Sequence, residues 1–309
     1  MSVLVLPTSP FVLRQLAALR VVAPEEEIYT DPASAPSHEI EAILAFRLAE
    51  GIAPRFPELR FVACAGAGAD DLLATPDLPP HVPIVRATDP QQGVRMAQYV
   101  ALMVLRHYRD LSRLEAQQRD QRWNRPPPAS ENDFPVGVMG FGSIGAPIVD
   151  VMSRLGFPVS VWTRTARAIE GAQAFAGPKG LMPFLARSRV LVCALPLTDE
   201  TRGLIDNETI RSLPRGAYLI NVSRGRVVRE ADLVAAIDAG HLCGATLDVF
   251  ETEPLPGDSP LWRHQKILCT PHVAAEPRAE HVAAQFAANL RRARAGEPLV
   301  NRVDRTRGY

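Results

Sequence analysis

The sequence predicts an α/β protein with two doubly wound parallel-sheet domains. Three observations carry that expectation. Short apolar runs alternate with amphipathic segments and turn residues along nearly the whole chain, the pattern of parallel sheets covered by helices on both faces. The length, 309 residues, suits two domains that each bury a core. The apolar runs also fall into two series, separated by a long helical stretch and the run Pro126-Pro127-Pro128.

In the first series, residues 3–6, 42–46, 60–64 and 84–85 read as strands, with loops after several of them. A helix is expected from Val94 to about Arg119, because Met96, Tyr99, Val100, Met103, Val104 and His107 recur at helical spacing. Trp123 and the prolines then end it and mark an excursion. The second series has strands at 136–139, 159–162, 190–195, 218–222, 245–249 and 267–269. A last helix over 279–295 is expected to pack back on the first domain. The first domain is then discontinuous, residues 1–93 and 273–309, with residues 94–272 as a second domain inserted into it.

Composition excludes several partners. Lys plus Arg and Asp plus Glu each number 34, so no general attraction to nucleic acid or an anionic membrane is built in. No stretch reaches the roughly 18 apolar residues of a membrane span, and Pro7 and Pro10 interrupt the N-terminal apolar run before it resembles a signal sequence. Cys64, Cys193, Cys243 and Cys269 show no paired spacing of the kind that binds metal, so no metal is expected, and most sit in apolar runs. Buried free thiols in a reducing, cytoplasmic compartment are the expectation.

A glycine turn, Gly140-Phe141-Gly142-Ser143-Ile144-Gly145, follows the strand at 136–139 and leads into a helix over 146–155, with Pro147 suited to its first turn. Glycines there let the backbone turn tightly and approach a pyrophosphate, whose charge meets the helix N-terminus. The strand-turn-helix context favours a Rossmann-type dinucleotide site over a plain structural turn. The next strand ends where an acidic residue would grip the adenosine ribose of NAD, about 20 residues on. The chain instead supplies Thr163, Arg164 and Thr165, with Arg167 soon after. These donors suit a 2′-phosphate, so NADPH is the expected cofactor and NADH the alternative. The plainer reading of Arg164 is a solvated loop arginine.

Three further segments each follow an expected strand: residues 221–226 with Arg224, 247–254 with Glu253, and 270–275 with His272. Strand carboxyl ends face the ligand crevice of an open α/β sheet, so the three side chains could converge there. Singly, each has a bland alternative: Arg224 in a salt bridge at a helix start, Glu253 in a solvated turn before Pro254, His272 as a satisfied strand-end histidine.

Together, in this order and after this glycine turn, they resemble the D-isomer-specific 2-hydroxyacid dehydrogenase family over essentially the whole chain. The resemblance is strongest to its glyoxylate/hydroxypyruvate reductase A branch, through residues 162–165, 259–264 and the ending 303–309. It implies a flavodoxin-like substrate domain and reduction of a short 2-keto acid, glyoxylate or hydroxypyruvate, to glycolate or D-glycerate. His272 would give a proton to the carbonyl oxygen, a task suited to an imidazole that titrates near neutrality. Glu253 would bind the other ring nitrogen and favour imidazolium. Arg224 would hold the substrate carboxylate in a planar fork and polarise the keto oxygen.

Further roles follow from the same resemblance. Ala67 and Gly68, in the loop 64–70, would offer backbone donors to substrate, with a plain glycine turn as the alternative. Arg47 stands where some relatives place a second anion-binding arginine, although the branch usually has Trp-His where this chain has Phe46-Arg47. Leu195, Pro196, Thr201, Val222 and Asp248 match cofactor-contacting positions. The helix and arm near 94–130 imply a homodimer, in which Trp123 either anchors the dimer, the favoured role, or enters the neighbouring subunit's substrate pocket. Two alternatives stay open: a reductase of bulkier 2-keto acids in the same family, or a dinucleotide-sensing interaction protein without chemistry.

Overall fold

A computed structural model describes residues 2–308 of the chain; Met1 and Tyr309, the latter ending the terminal motif, lie outside them. The first elements are β1 (Ser2–Val5), α1 (Pro10–Val22), β2 (Glu27–Tyr29), β3 (Ile40–Ala45), β4 (Phe61–Cys64), α2 (Asp70–Leu73) and β5 (Ile84–Arg86). Next come α3 (Gln92–Tyr108), α4 (Leu111–Arg119), β6 (Val136–Met139), α5 (Gly145–Arg154), β7 (Val159–Thr163), β8 (Gln173–Ala176) and α6 (Gly177–Leu185). The chain continues through β9 (Val190–Cys193), α7 (Asn207–Arg211), β10 (Ala217–Asn221), α8 (Glu230–Asp238), β11 (Leu242–Leu247), β12 (Ile267–Cys269) and α9 (Ala279–Arg294).

These form two compact units, Met1–Pro90 with Glu276–Tyr309, and Gln91–Ala275. Each holds one all-parallel sheet, in agreement with the expected α/β class. The first sheet runs β2-β1-β3-β4-β5, the flavodoxin-like order with its switch between β1 and β3. Strands β1, β3 and β4 are buried throughout, as mostly apolar strands covered on both faces are, with Ser2 and Glu41 as buried polar residues in them. Ser9 caps α1, accepting from the Val12 amide, and Pro10 occupies its first turn. Helices α1 and α9 share one apolar core with the sheet, through Leu16, Leu19, Val282, Phe286 and Leu290. Arg294 fastens α9 further, pairing with the buried Glu26 and Glu41 at 2.5 and 2.8 Å.

The second sheet runs β12-β11-β10-β9-β6-β7-β8, also all parallel. Its chain order reverses between β6 and β9, the switch point where a doubly wound sheet opens a ligand crevice. Two cores flank it, one around Phe184, Leu219 and Leu247, the other around Val100, Val138 and Ile148.

The structure adds two strands that the sequence does not announce, β2 and β8. Both are short edge strands with several exposed or half-buried residues, so neither carries the apolar run that marks a buried strand. The single helix expected over 94–119 is two, because Asp110 takes a left-handed backbone, φ +51°, between α3 and α4. Aspartate tolerates that region better than most residues with a Cβ. Cys64 and Cys193 are buried, but Cys243 is exposed and Cys269 intermediate, and none of the four is in a disulfide. Among the described residues no helix is long and apolar enough to cross a membrane, and none of the His, Cys, Asp and Glu side chains cluster as a metal site would need.

Candidate active site

In the seven-stranded unit the glycine turn joins β6 to α5 beside the loop that follows β9. Gly140 has φ +99°, and a Cβ there would stand 2.7 Å from the Ala194 carbonyl oxygen. A Cβ on Gly145 would stand 2.1 Å from the Gly140 carbonyl oxygen, so a bare α-carbon is what lets the helix start this close to the turn. Gly142 differs, since a Cβ there would meet no protein atom within 4 Å. Gly142 and Ser143 are exposed, and Ile144 provides no side-chain cap to α5. An open backbone at the start of a ten-residue helix is a cradle for an anion. The residues present therefore fit a dinucleotide pyrophosphate.

At the end of β7, Arg164 and Thr165 are exposed. The Thr163 hydroxyl instead points inward and donates to the Thr165 carbonyl at 2.9 Å. It shapes the strand end and differs from the outward phosphate donor that the sequence suggests. Arg167 lies over the Phe141 ring, 4.8 Å from its centroid, and so flanks the glycine turn. Thr201 is likewise turned inward, donating to the Pro196 carbonyl at 2.7 Å and accepting from the Thr198 amide. It folds the loop that carries Leu195 and Pro196. Leu195 packs beside Gly140, Pro196 is exposed, and Val222 is buried at the end of β10.

Arg224, Glu253 and His272 come together within this unit. His272 Nδ1 lies 2.7 Å from Glu253 Oε2. A carboxylate only accepts, so Nδ1 carries the proton and the tautomer is fixed. Glu253 also accepts from the Phe250 amide at 2.9 Å. Burial works against its ionisation, but the His272 hydrogen bond and charge, the Phe250 amide and the Arg224 charge outweigh it and hold the carboxyl below its ordinary range.

Arg224 follows β10 and is held from both sides. Asn221 donates to the Arg224 carbonyl at 3.1 Å, and Arg224 itself donates to the Ser223 carbonyl at 2.8 Å. Gly225 is packed so tightly that a Cβ would fall 1.8 Å from the Phe250 carbonyl carbon. That contact presses the arginine loop against the segment that leads to Glu253. The sequence alone did not mark Gly225 or Asn221 as part of the site; a glycine just after a strand-end arginine was the available signal.

His272 has φ +54°, a left-handed conformation unusual for a residue with a Cβ. Asp248 secures it. The Asp248 carbonyl accepts from the His272 amide at 2.9 Å, while its carboxylate accepts from Thr270 Oγ1 at 2.6 Å and from the Val273 and Ala274 amides at 2.9 Å each. Asp248 is 1% exposed, so its carboxylate belongs to the histidine loop rather than to an open cofactor surface.

In the five-stranded unit, Ala67 and Gly68 lie half-buried after β4. Cys64 Sγ donates to the Gly68 carbonyl at 2.9 Å and Gln15 to the Ala65 carbonyl at 2.7 Å, fixing the loop. Arg47, exposed, lines a cavity of about 360 Å³ with Leu6, Thr8, Thr30, Leu48 and Ile52 at the carboxyl ends of β1 to β3.

Comparison with known proteins agrees with this architecture. Residues 101–274 match the model of the D-isomer-specific 2-hydroxyacid dehydrogenase NAD-binding domain. Glyoxylate/hydroxypyruvate reductase A of Salmonella heidelberg is 38% identical over 256 residues, 81% of this chain and 82% of its own. A D-isomer-specific 2-hydroxyacid dehydrogenase from Xanthobacter autotrophicus, solved with NADPH and MES, aligns at TM-score 0.89 and 42% identity, over 100% of this chain and 99% of its own. The NADPH-dependent glyoxylate/hydroxypyruvate reductase of Sinorhizobium meliloti, solved with NADP and sulfate, aligns at TM-score 0.91 and 33% identity over 100% of both chains.

Proposed function

The chain belongs to the D-isomer-specific 2-hydroxyacid dehydrogenase family, and from that membership we propose that it reduces short 2-keto acids, glyoxylate and hydroxypyruvate first, with NADPH preferred over NADH. The observation that carries the reading is the 2.7 Å His272–Glu253 hydrogen bond, with the Arg224 charge acting on the same carboxylate. Relatives that are named glyoxylate/hydroxypyruvate reductases, and a neighbour solved with NADPH, support the substrate class and the cofactor.

When bound, the nicotinamide supplies a hydride to the carbonyl carbon. The protein does the rest. Gly140, Gly142, Ser143, Ile144 and Gly145 would hold the pyrophosphate, and Arg164 and Thr165 the 2′-phosphate. Leu195, Pro196 and Val222 line the cofactor crevice, with Thr163, Thr201 and Asp248 shaping its loops. Arg224 binds the substrate carboxylate and draws electron density toward the keto oxygen. His272 delivers the proton from Nε2 to that oxygen as it gains charge, and Glu253 keeps Nδ1 protonated and the ring oriented. Ala67, Gly68 and Arg47 are assigned carboxylate-binding roles in the five-stranded unit, which serves as the substrate domain.

We assign the assembly as a homodimer through α3 and the arm after α4, where Trp123 is 94% exposed and Leu102 58% exposed. Four cysteines outside any disulfide suit a reducing, cytoplasmic location. NADPH oxidation measured with a panel of short and bulky 2-keto acids tests the activity. Turnover with glyoxylate and hydroxypyruvate is expected, falling about 10²- to 10⁴-fold in His272→Ala while NADPH binding is kept. No turnover with any keto acid, or full turnover in His272→Ala, overturns the reading. Light scattering of the purified chain tests the dimer.

A further inference from the structure

Helix α3 reaches the histidine loop at two points. Near its start, Gln92 Nε2 donates to the Ala275 carbonyl at 2.8 Å. Two turns later the Tyr99 hydroxyl lies 2.6 Å from Thr270 Oγ1, which in turn lies 2.6 Å from Asp248 Oδ1. The loop that carries His272 is thus bracketed on both sides by one helix.

The direction of the chain of hydrogen bonds is fixed by proton counting. The Asp248 carboxylate accepts, so the single Thr270 hydroxyl proton goes to it. Tyr99 must then donate to Thr270. The three groups form a one-way relay, Tyr99 to Thr270 to Asp248, that ends on the residue holding the His272, Val273 and Ala274 amides. Burial, partly offset by the Thr270 bond, pushes the Tyr99 hydroxyl up to about 12, so it stays a donor throughout the working pH range.

What the relay holds is a conformation the chain would not adopt freely. His272 sits at φ +54°, where its Cβ crowds the backbone, and its ring is half exposed. Little packing fixes the ring, so its position depends on the backbone below it and on Glu253. The Asp248 carboxylate grips the Val273 and Ala274 amides that follow His272. Thr270 gives that carboxylate its third bond, and Tyr99 orients Thr270.

We propose that Tyr99 is a positioning residue for His272, acting through Thr270 and Asp248 without touching substrate or cofactor; the proposal rests on the reading of His272 as the proton donor. A hydroxyl on a helix remote in sequence thereby tunes the proton-transfer step. Its loss should lower kcat and leave the binding constants in place, because the Arg224 and glycine-turn contacts are untouched.

The test compares Tyr99→Phe, Thr270→Val, Thr270→Ser and the double variant Tyr99→Phe/Thr270→Val in the full chain. Steady-state kinetics use the best keto acid of the panel, and NADPH affinity is read by fluorescence titration. Tyr99→Phe is expected to lower kcat about tenfold, an effect of the size that small misplacements cause, with KM and NADPH affinity within about twofold. Thr270→Val should lose at least as much and Thr270→Ser should restore the rate. The double variant should match Thr270→Val alone, since a relay cut once cannot be cut again. A wild-type kcat in Tyr99→Phe, additive losses in the double variant, or a loss confined to KM overturns the proposal. The side-chain nitrogen resonances of His272, assigned by their disappearance in His272→Ala, report without turnover. They should shift in Tyr99→Phe and return in Thr270→Ser, and unchanged resonances also overturn it. Full turnover in His272→Ala would instead sink the proton-donor reading, a separate outcome.

Discussion

His272 Nδ1 donates to Glu253 Oε2 at 2.7 Å, so one ring nitrogen is tied to a carboxylate and, in the proposed role, Nε2 is the nitrogen left for proton transfer. The carboxyl is held below its ordinary range despite burial, through the His272 bond and charge, the Phe250 amide and the Arg224 charge. Glu253→Gln keeps the shape and removes the charge. Its kcat should fall roughly 10- to 100-fold, less than the roughly 10²- to 10⁴-fold that complete loss of acid-base catalysis costs, while NADPH affinity stays the same. Stopped-flow measurement of single-turnover NADPH oxidation checks this, and an unchanged rate would refute the assigned role.

The same pair has a consequence for stability. A carboxyl whose pKa is lower in the folded chain than in the unfolded one contributes stability above its unfolded value, and that contribution is lost as pH falls through the folded value. Wild-type protein should therefore lose stability on acidification below the ordinary carboxyl range more steeply than Glu253→Gln. Thermal melts across the acid range decide it, and parallel curves would count against the coupling.

Arg164 is the residue on which we propose that cofactor choice rests. It is exposed at the end of β7, where the chain reads Thr163-Arg164-Thr165 and so carries a guanidinium in place of an acidic residue. Arg164→Asp replaces a donor by a like charge for the phosphate, and NADPH should bind about 100-fold more weakly, as the loss of a charge-assisted hydrogen bond implies. NADH affinity should hold or improve. Titration of both cofactors checks it; equal weakening of the two would remove Arg164 from the cofactor site.

Much of this was legible in the sequence because it is written in local pattern. The runs at 136–139 and 159–162 announce buried parallel strands, and the glycines after the first announce the turn. Arg224, Glu253 and His272 were legible as strand-end residues. The edge strands β2 and β8 were not, because an edge needs only one neighbour and tolerates polar residues. The break at Asp110 was hidden because α3 and α4 share an uninterrupted helical composition. The supports of the site lay further still from view. Tyr99 reads as one more residue on an amphipathic helix, and its bond to Thr270 spans 171 residues. Thr201 and Asp248 matched cofactor positions, yet their polar atoms turn inward, a choice set by loop geometry that periodicity does not encode.

The glycine turn separates binding from folding. At Gly142 an added methyl meets no protein atom within 4 Å, whereas at Gly145 it meets the Gly140 carbonyl at 2.1 Å. Gly142→Ala should leave the urea midpoint unchanged and weaken NADPH binding by about tenfold, or roughly 1.4 kcal/mol. Gly145→Ala should destabilise the seven-stranded unit by roughly 1–3 kcal/mol, the usual effect of overpacking. Denaturation and cofactor titration of both variants check the contrast. A Gly142→Ala protein that binds NADPH normally would mean that nothing approaches the turn there.

A final prediction concerns a histidine outside the site. His107 stacks on Tyr218, with centroids 4.3 Å apart and planes at 12°. Burial, aided by the Arg189 charge, lowers its pKa to about 4. Between that value and its ordinary 6.5 the unfolded chain binds a proton that the folded chain refuses, so stability must fall as pH drops through this window. The full effect is roughly 3 kcal/mol. His107→Phe keeps an aromatic ring against Tyr218 and has no proton to bind. Urea denaturation between pH 6.5 and 4 should show wild-type protein losing more stability than the variant by that amount. If both lose the same, His107 is charged in the folded chain, and its stack on Tyr218 would have to be read as a cation over a ring rather than as two neutral rings packed together.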